Sequence, residues 1–130
     1  MKAARNVLIV TDGTTGTAKM ALDITRALGG NKVLTKDAAD FKGNDILPAD
    51  AFFLGCEDSA PPSFLYLEDL LKHINLAGRT CGVFSSGSEK AAEYLAGILA
   101  DCEAALNPRP FTASGAGIES WAKSVVAFSF

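Results

Sequence analysis

The stretch VLIVTDGTTGTAKMALDITRAL, Val7–Leu28, decides the fold. Its first four residues are apolar, and a loop of Thr, Asp and Gly follows them directly. An apolar run that ends at turn residues predicts a strand buried on both faces of a sheet. Beyond the loop, Met20, Leu22, Ile24 and Leu28 supply an apolar stripe for a helix that ends at a Gly pair. The stretch therefore predicts a strand, a tight loop and a helix.

The loop of this stretch carries four threonines around two glycines, more hydroxyl groups than a turn requires. At a helix N-terminus, backbone N–H groups and threonine hydroxyls would donate to a phosphate, and the helix dipole would favour its charge. No Lys or Arg lies in the loop, so a phosphate would be bound by neutral donors alone. The other interpretation is a tight turn capped by threonines. The candidate residues are Thr11, Asp12, Gly13, Thr14, Thr15, Gly16 and Thr17.

The rest of the chain repeats the alternation of strands and helices. Alternating elements predict one α/β domain over residues 1–130, with helices on both faces of a mostly parallel, doubly wound sheet. Phe52, Phe53, Phe84 and Trp121 are expected in its core. The predicted strands are 6–10, 32–36, 50–56 and 79–87, the predicted helices are 17–30, 59–75, 88–106 and 118–128, and an edge strand or loop is predicted at 108–117.

In such sheets, ligands bind beyond the carboxyl ends of the strands, where the strand order reverses. Three loops rich in small polar residues are predicted to leave those ends, at 11–17, 56–63 and 85–89. The loops should therefore lie side by side. No carboxylate pair, Ser-His-Asp arrangement or metal cluster accompanies them, so the sequence predicts neither an enzyme nor a metal site.

Composition narrows the class of protein further. The net charge of −3 gives no electrostatic support to nucleic-acid binding. No apolar run approaches the roughly 20 residues that span a bilayer, and the first apolar run is too short for a signal peptide, so we expect no membrane and a cytoplasmic protein. Cys56, Cys81 and Cys102 are odd in number and lack CxxC spacing, which argues against disulfides and zinc.

The order of these motifs resembles the flavodoxin family, which opens with a strand and a Thr/Ser-x-Thr-Gly-x-Thr loop around the phosphate of FMN. TDGTTGTAKMALDITRAL at 11–28 occupies that place, with a loop one residue shorter. DAFFLGC at 50–56 is similar to the family's third strand, LAGRTCGVFSSGS at 76–88 to its fourth strand and following loop, and IESWAKSV at 118–125 to its last helix. The resemblance covers nearly the whole chain.

The resemblance implies a five-stranded sheet of order 2-1-3-4-5 and an electron carrier that binds FMN. Thr15, Gly16 and Thr17 would then bind the phosphate, with residues 11–14 forming the front of the loop. The flavin ring would lie between the loops after the third and fourth strands. It also implies redox proteins as partners of a monomer or weak dimer. The ring-contacting candidates are Cys56, Glu57, Asp58, Ser59, Ser85, Ser86 and Gly87.

The sequence leaves a second interpretation open, a flavodoxin-fold module that has lost FMN and acts as a regulatory or protein-interaction domain. The loops at 56–63 and 85–89 contain no aromatic residue to stack on a flavin ring. Phe64 and Tyr66 follow the first of these loops but are predicted to belong to the next helix. The shortened phosphate loop also favours this alternative.

Overall fold

Strands and helices alternate along the chain in the computed structural model, which describes residues 6–29, 31–40, 49–58, 62–73, 80–87, 89–99, 105–106, 111–112 and 117–127. The strands are β1 (Asn6–Thr11), β2 (Lys32–Asp37), β3 (Ala51–Cys56), β4 (Thr80–Ser85), β5 (Ala105–Leu106) and β6 (Phe111–Thr112). The helices are α1 (Thr15–Ala27), α2 (Leu65–His73), α3 (Glu89–Ile98) and α4 (Ile118–Ala127), and a 3₁₀ turn at Pro62–Phe64 precedes α2.

All strand pairs of the sheet are parallel, and the strand order is β2-β1-β3-β4-β5. This order confirms the prediction from the sequence. The fifth position is divided between two short strands: β5 pairs with the beginning of β4, and β6 pairs with its end. The order reverses between β1 and β3, so the crevice at which such sheets bind ligands lies beyond these two strands.

Helices cover both faces of the sheet because its central strands are apolar on both sides. Alternate residues of β1, β3 and β4 pack with α1 and α4 on one face and with α2 and α3 on the other. The fold is therefore a three-layer α/β domain, as predicted. The four aromatic residues expected in the core are all buried, namely Phe52, Phe53, Phe84 and Trp121.

Helix α1 confirms the predicted element but not every residue of its buried face. Met20, Ile24 and Leu28 are buried, whereas Leu22 is 50% exposed. The expectation for Leu22 was therefore wrong. A helix turns about 100° per residue, so position 22 points well away from the direction of 20 and 24.

The predicted helix at 88–106 extended too far. Helix α3 ends at Ile98, and the Leu99 N–H closes its last turn on the Ala96 carbonyl oxygen at 3.3 Å. Ala105–Leu106 instead form β5 alongside β4. The Ala, Glu and Leu residues at 100–106 have high helix propensity, but the open edge of β4 supplies backbone partners that override propensity. Residues 41–48, which belong to a connection expected at 37–48, lie outside the described residues, as do Ile74, Cys102 and Phe128.

Candidate functional site

Three loops meet at the carboxyl edge of the sheet. The register of the strands aligns their ends, because Thr11 lies opposite Gly55 and Cys56 lies opposite Ser85. Residues 12–14, 57–58 and 86–87 therefore leave the sheet side by side. The loops predicted from the sequence to form one site are adjacent in the structure.

The carboxylate of Asp12 joins the first loop to the second. Its Oδ1 accepts the N–H of Thr14 at 3.1 Å and the hydroxyl of Thr14 at 2.7 Å. Its Oδ2 accepts the N–H of Glu57 at 2.8 Å. The contact with the Thr14 N–H is an Asx turn, in which a carboxylate takes the place of a backbone carbonyl two residues ahead of the donor. Asp12 thus accepts three hydrogen bonds within the site.

A chain of hydroxyl groups joins the first loop to the third. The Thr14 and Thr17 oxygens lie 2.7 Å apart, and the Thr17 and Ser86 oxygens lie 2.9 Å apart. Each hydroxyl donates one proton, and a carboxylate only accepts. The Thr14 hydroxyl lies within hydrogen-bond distance of both the Asp12 carboxylate and the Thr17 oxygen, and its single proton serves these two acceptors. The hydroxyl groups of Thr14, Thr17 and Ser86 are therefore engaged with one another and with Asp12 inside the site.

The first turn of α1 keeps its backbone donors available. The first helical hydrogen bond runs from the Ala18 N–H to the Thr14 carbonyl oxygen at 2.9 Å. Thr14 is the N-cap residue, and its side chain makes no capping hydrogen bond. Within the described part of the chain, the N–H groups of Thr15, Gly16 and Thr17 therefore have no acceptor. These donors and the positive end of the helix dipole suit an anion.

Two glycines allow the loops to approach one another. Gly13 has a φ of 81°, a left-handed conformation that side chains rarely adopt, and a Cβ there would collide with the Asp37 carboxylate. At Gly87, a Cβ would collide with the carbonyl oxygen of Glu57, so the second and third loops are in close contact. Glycine at both positions is a requirement of this geometry.

The electrostatic environment of the second loop is acidic. Cys56 is fully buried, and this burial raises the pKa of its thiol to about 12, with the charges of Asp12 and Asp58 adding to the effect. The thiol therefore stays protonated and is a poor nucleophile at neutral pH.

The third loop is held by a contact of its own. The Gly87 N–H donates to the Ser85 Oγ at 3.0 Å.

The aromatic residues near the second loop do not belong to it. Phe64 ends the 3₁₀ turn and is fully buried, and Tyr66 lies in α2 with 49% of its surface exposed. The placement of Tyr66 confirms the sequence prediction, whereas Phe64 lies in the 3₁₀ turn directly before the helix. Tyr94 lies within α3 and packs against the core. In the described part of the second and third loops, residues 57–58 and 86–87, no aromatic side chain is available to stack on a ring.

The structure brings together all the candidate site residues that it describes, and Ser59 lies outside the described residues. Their roles differ from one another. Thr11 and Ser85 are buried strand ends, whereas Glu57 and Asp58 are exposed. One residue of this edge was missed, because Asp37 ends β2 opposite Thr11 and its carboxylate contacts the Gly13 position. An acidic residue at the predicted end of a neighbouring strand was the available signal.

Comparisons with solved structures identify the fold. No protein-family model matches the sequence, and no curated protein matches it. The structure is similar to a short-chain flavodoxin associated with a PDU bacterial microcompartment, with a TM-score of 0.82, 16% identity, and coverage of 95% of this chain and 97% of that one. It is also similar to oxidised Flavodoxin 2 from Bacillus cereus, with a TM-score of 0.79, 20% identity, and coverage of 94% and 98%.

A third similar structure contains a ligand. The Fusobacterium nucleatum flavodoxin bound to flavin mononucleotide matches with a TM-score of 0.68 and 14% identity, covering 84% of this chain and 77% of that one. At these identities the likeness establishes the fold alone. The chain therefore has a flavodoxin-like α/β fold, as the resemblance of its motifs predicted.

The described residues contain no helix long and apolar enough to cross a bilayer. They also contain no group of three His, Cys, Asp or Glu residues that could bind a metal ion. What the carboxyl edge offers is neutral backbone donors beside carboxylates. The backbone donors of α1 fit the phosphate of FMN, whereas the hydroxyl groups of Thr14, Thr17 and Ser86 are already hydrogen-bonded within the site.

Proposed function

We propose that this protein binds FMN at the carboxyl edge of its sheet and transfers electrons between redox proteins. The observation that carries the proposal is the first turn of α1, where the N–H groups of Thr15, Gly16 and Thr17 lack acceptors at the point where β1, β3 and β4 end. Flavodoxin-like sheets reverse their strand order at this place, and ligands of such sheets bind there.

Each part of the site has a separate role in this proposal. The N–H groups of Thr15–Thr17 would donate to the phosphate. The backbone at Cys56–Asp58 and Ser85–Gly87 would contact the ring, since no aromatic side chain is found in the described part of these loops. When bound, FMN supplies the electron-accepting chemistry, and the protein supplies orientation and local charge. The carboxylates of Glu57 and Asp58 would disfavour added negative charge on a nearby ring.

The proposal is tested by titrating the purified protein with FMN and following flavin fluorescence, with riboflavin as the unphosphorylated control. We expect FMN to bind in the micromolar range or tighter. Reversible reduction of the complex, followed by flavin absorbance, then tests electron transfer. Absence of FMN binding at high protein concentration would exclude the electron-carrier function.

A pair of variants tests whether α1 holds the phosphate. Thr15→Glu places a carboxylate at an exposed position of the first turn of α1, and Thr35→Glu makes the same change at an exposed position of β2. A nearby like charge should weaken FMN binding about fivefold or more in Thr15→Glu. Thr35→Glu should bind FMN like the natural protein. Equal effects of the two changes would argue against a phosphate at α1.

A specific observation favours the second candidate function, a flavodoxin-fold module without FMN. Asp12 and the hydroxyl chain already join the three loops without a ligand, through contacts with Glu57 and Ser86. Such a self-contained edge suits a regulatory or protein-interaction domain. The same titration separates the two candidates, because a module of this kind binds neither FMN nor riboflavin.

A further inference from the structure

Several polar groups of the first loop are hydrogen-bonded within the site, around the carboxylate of Asp12. Asp12 accepts the Thr14 N–H, the Thr14 hydroxyl and the Glu57 N–H at 3.1, 2.7 and 2.8 Å. The Thr17 oxygen lies 2.7 Å from that of Thr14 and 2.9 Å from that of Ser86, so these three hydroxyl groups bond to one another. The hydroxyl groups of Thr14, Thr17 and Ser86 are therefore already engaged within the site.

We infer that Asp12 determines how strongly this site discriminates phosphorylated from unphosphorylated ligands. Its carboxylate occupies hydrogen-bond donors of the site and repels the negative charge of a phosphate. The inference rests on the proposed function, since it takes a flavin as the ligand. Asp12 lies three residues before the first free N–H group of α1, that of Thr15, and its charge lies at the same edge of the sheet. The internal carboxylate therefore acts against the favourable effect of the helix dipole on a phosphate.

Replacement of this carboxylate should strengthen phosphate binding in particular. Asp12→Asn keeps an oxygen that accepts from Thr14, but it removes the charge and the acceptor of the Glu57 N–H. Asp12→Ser also removes the charge and keeps an oxygen for the Asx-type turn. Two variants are used because either one alone could fail to fold, and thermal unfolding checks both. The unphosphorylated flavin carries no charge at that position, so its binding should not respond.

The matched control is Asp50→Asn at the opposite, amino edge of the sheet. Asp50 is exposed, and its Oδ2 accepts the Asn6 N–H at 3.0 Å, so the change removes the same charge and one comparable hydrogen bond. The Asp50→Asn change should leave the affinity of a ligand at the carboxyl edge unchanged. The two sites are on opposite edges of the sheet, and charges are screened over about 8 Å at physiological ionic strength.

Three probes are titrated into the natural protein and the variants: FMN, riboflavin and inorganic phosphate. Flavin binding is followed by fluorescence, and phosphate binding by the backbone amide NMR signals of residues 15–17. We expect a folded Asp12 variant to bind FMN and inorganic phosphate about tenfold more tightly, since one like-charge repulsion is removed. Riboflavin binding should change less than about twofold, and Asp50→Asn should resemble the natural protein for every probe.

The outcomes separate this inference from the proposed function. Unchanged FMN and phosphate binding in both Asp12 variants, or an equal gain for FMN and riboflavin, would overturn the role of Asp12. If no protein binds a flavin, the proposed function fails, and the phosphate titration alone decides the role of Asp12. A gain in phosphate affinity in the Asp12 variants would support the inference even then.

Discussion

The hydroxyl chain of the site predicts a measurable loss of stability when Thr17 is replaced by valine. Thr17 is fully buried, and its oxygen contacts those of Thr14 at 2.7 Å and Ser86 at 2.9 Å. Valine has nearly the same shape and a similar helix propensity, so the change chiefly removes two hydrogen bonds. At about 0.5–1.5 kcal/mol for each bond, less the gain from burying a methyl group, we expect a loss of about 1–2 kcal/mol in the free energy of unfolding.

Urea denaturation measures this loss, with an unchanged m-value as evidence that both proteins unfold in the same way. Ser86→Ala should cost less, about 0.5 kcal/mol, because Ser86 is half-buried and water can replace its partner. Since the two residues share one hydrogen bond, the Thr17→Val/Ser86→Ala double variant should show a coupling energy of about 0.5–1 kcal/mol. A neutral Thr17→Val, or strictly additive effects, would refute the hydroxyl chain.

Three other changes follow from the packing of the core. Gly55→Ala should destabilise the protein by about 1–3 kcal/mol in urea denaturation, because its Cβ would overlap the buried ring of Phe84. The control is Gly97→Ala, at a helical position with open space around it, and it should be neutral or stabilising. Tyr94→Phe should be neutral or stabilise by up to about 1 kcal/mol, because its buried hydroxyl lies near the Glu68 carboxylate without a hydrogen bond of ordinary geometry. A loss above about 1 kcal/mol would show that the hydroxyl is bonded. Cys56, whose thiol pKa burial raises to about 12, should resist iodoacetamide at pH about 8 in the folded protein and react after unfolding, as peptide mass spectrometry would detect.

Hydrophobic patterning predicted the architecture because parallel strands in a three-layer fold must be apolar on both faces. The apolar runs at 7–10 and 51–54 predicted two central strands, and both runs are buried throughout. Boundaries were less predictable. The end of α3 and the strand β5 depend on the open edge of β4, a tertiary feature that no local pattern encodes.

The sequence by itself determined that a strand, a Thr-rich loop and a helix N-terminus follow one another at residues 7–28, because local composition governs turns and helix starts. Only the tertiary structure decided which groups those threonines contact. Thr17 meets Ser86 across 69 residues of chain, and Asp12 meets Glu57 across 45. These contacts exist because the parallel register places the ends of β1, β3 and β4 side by side, which no local pattern in the sequence encodes.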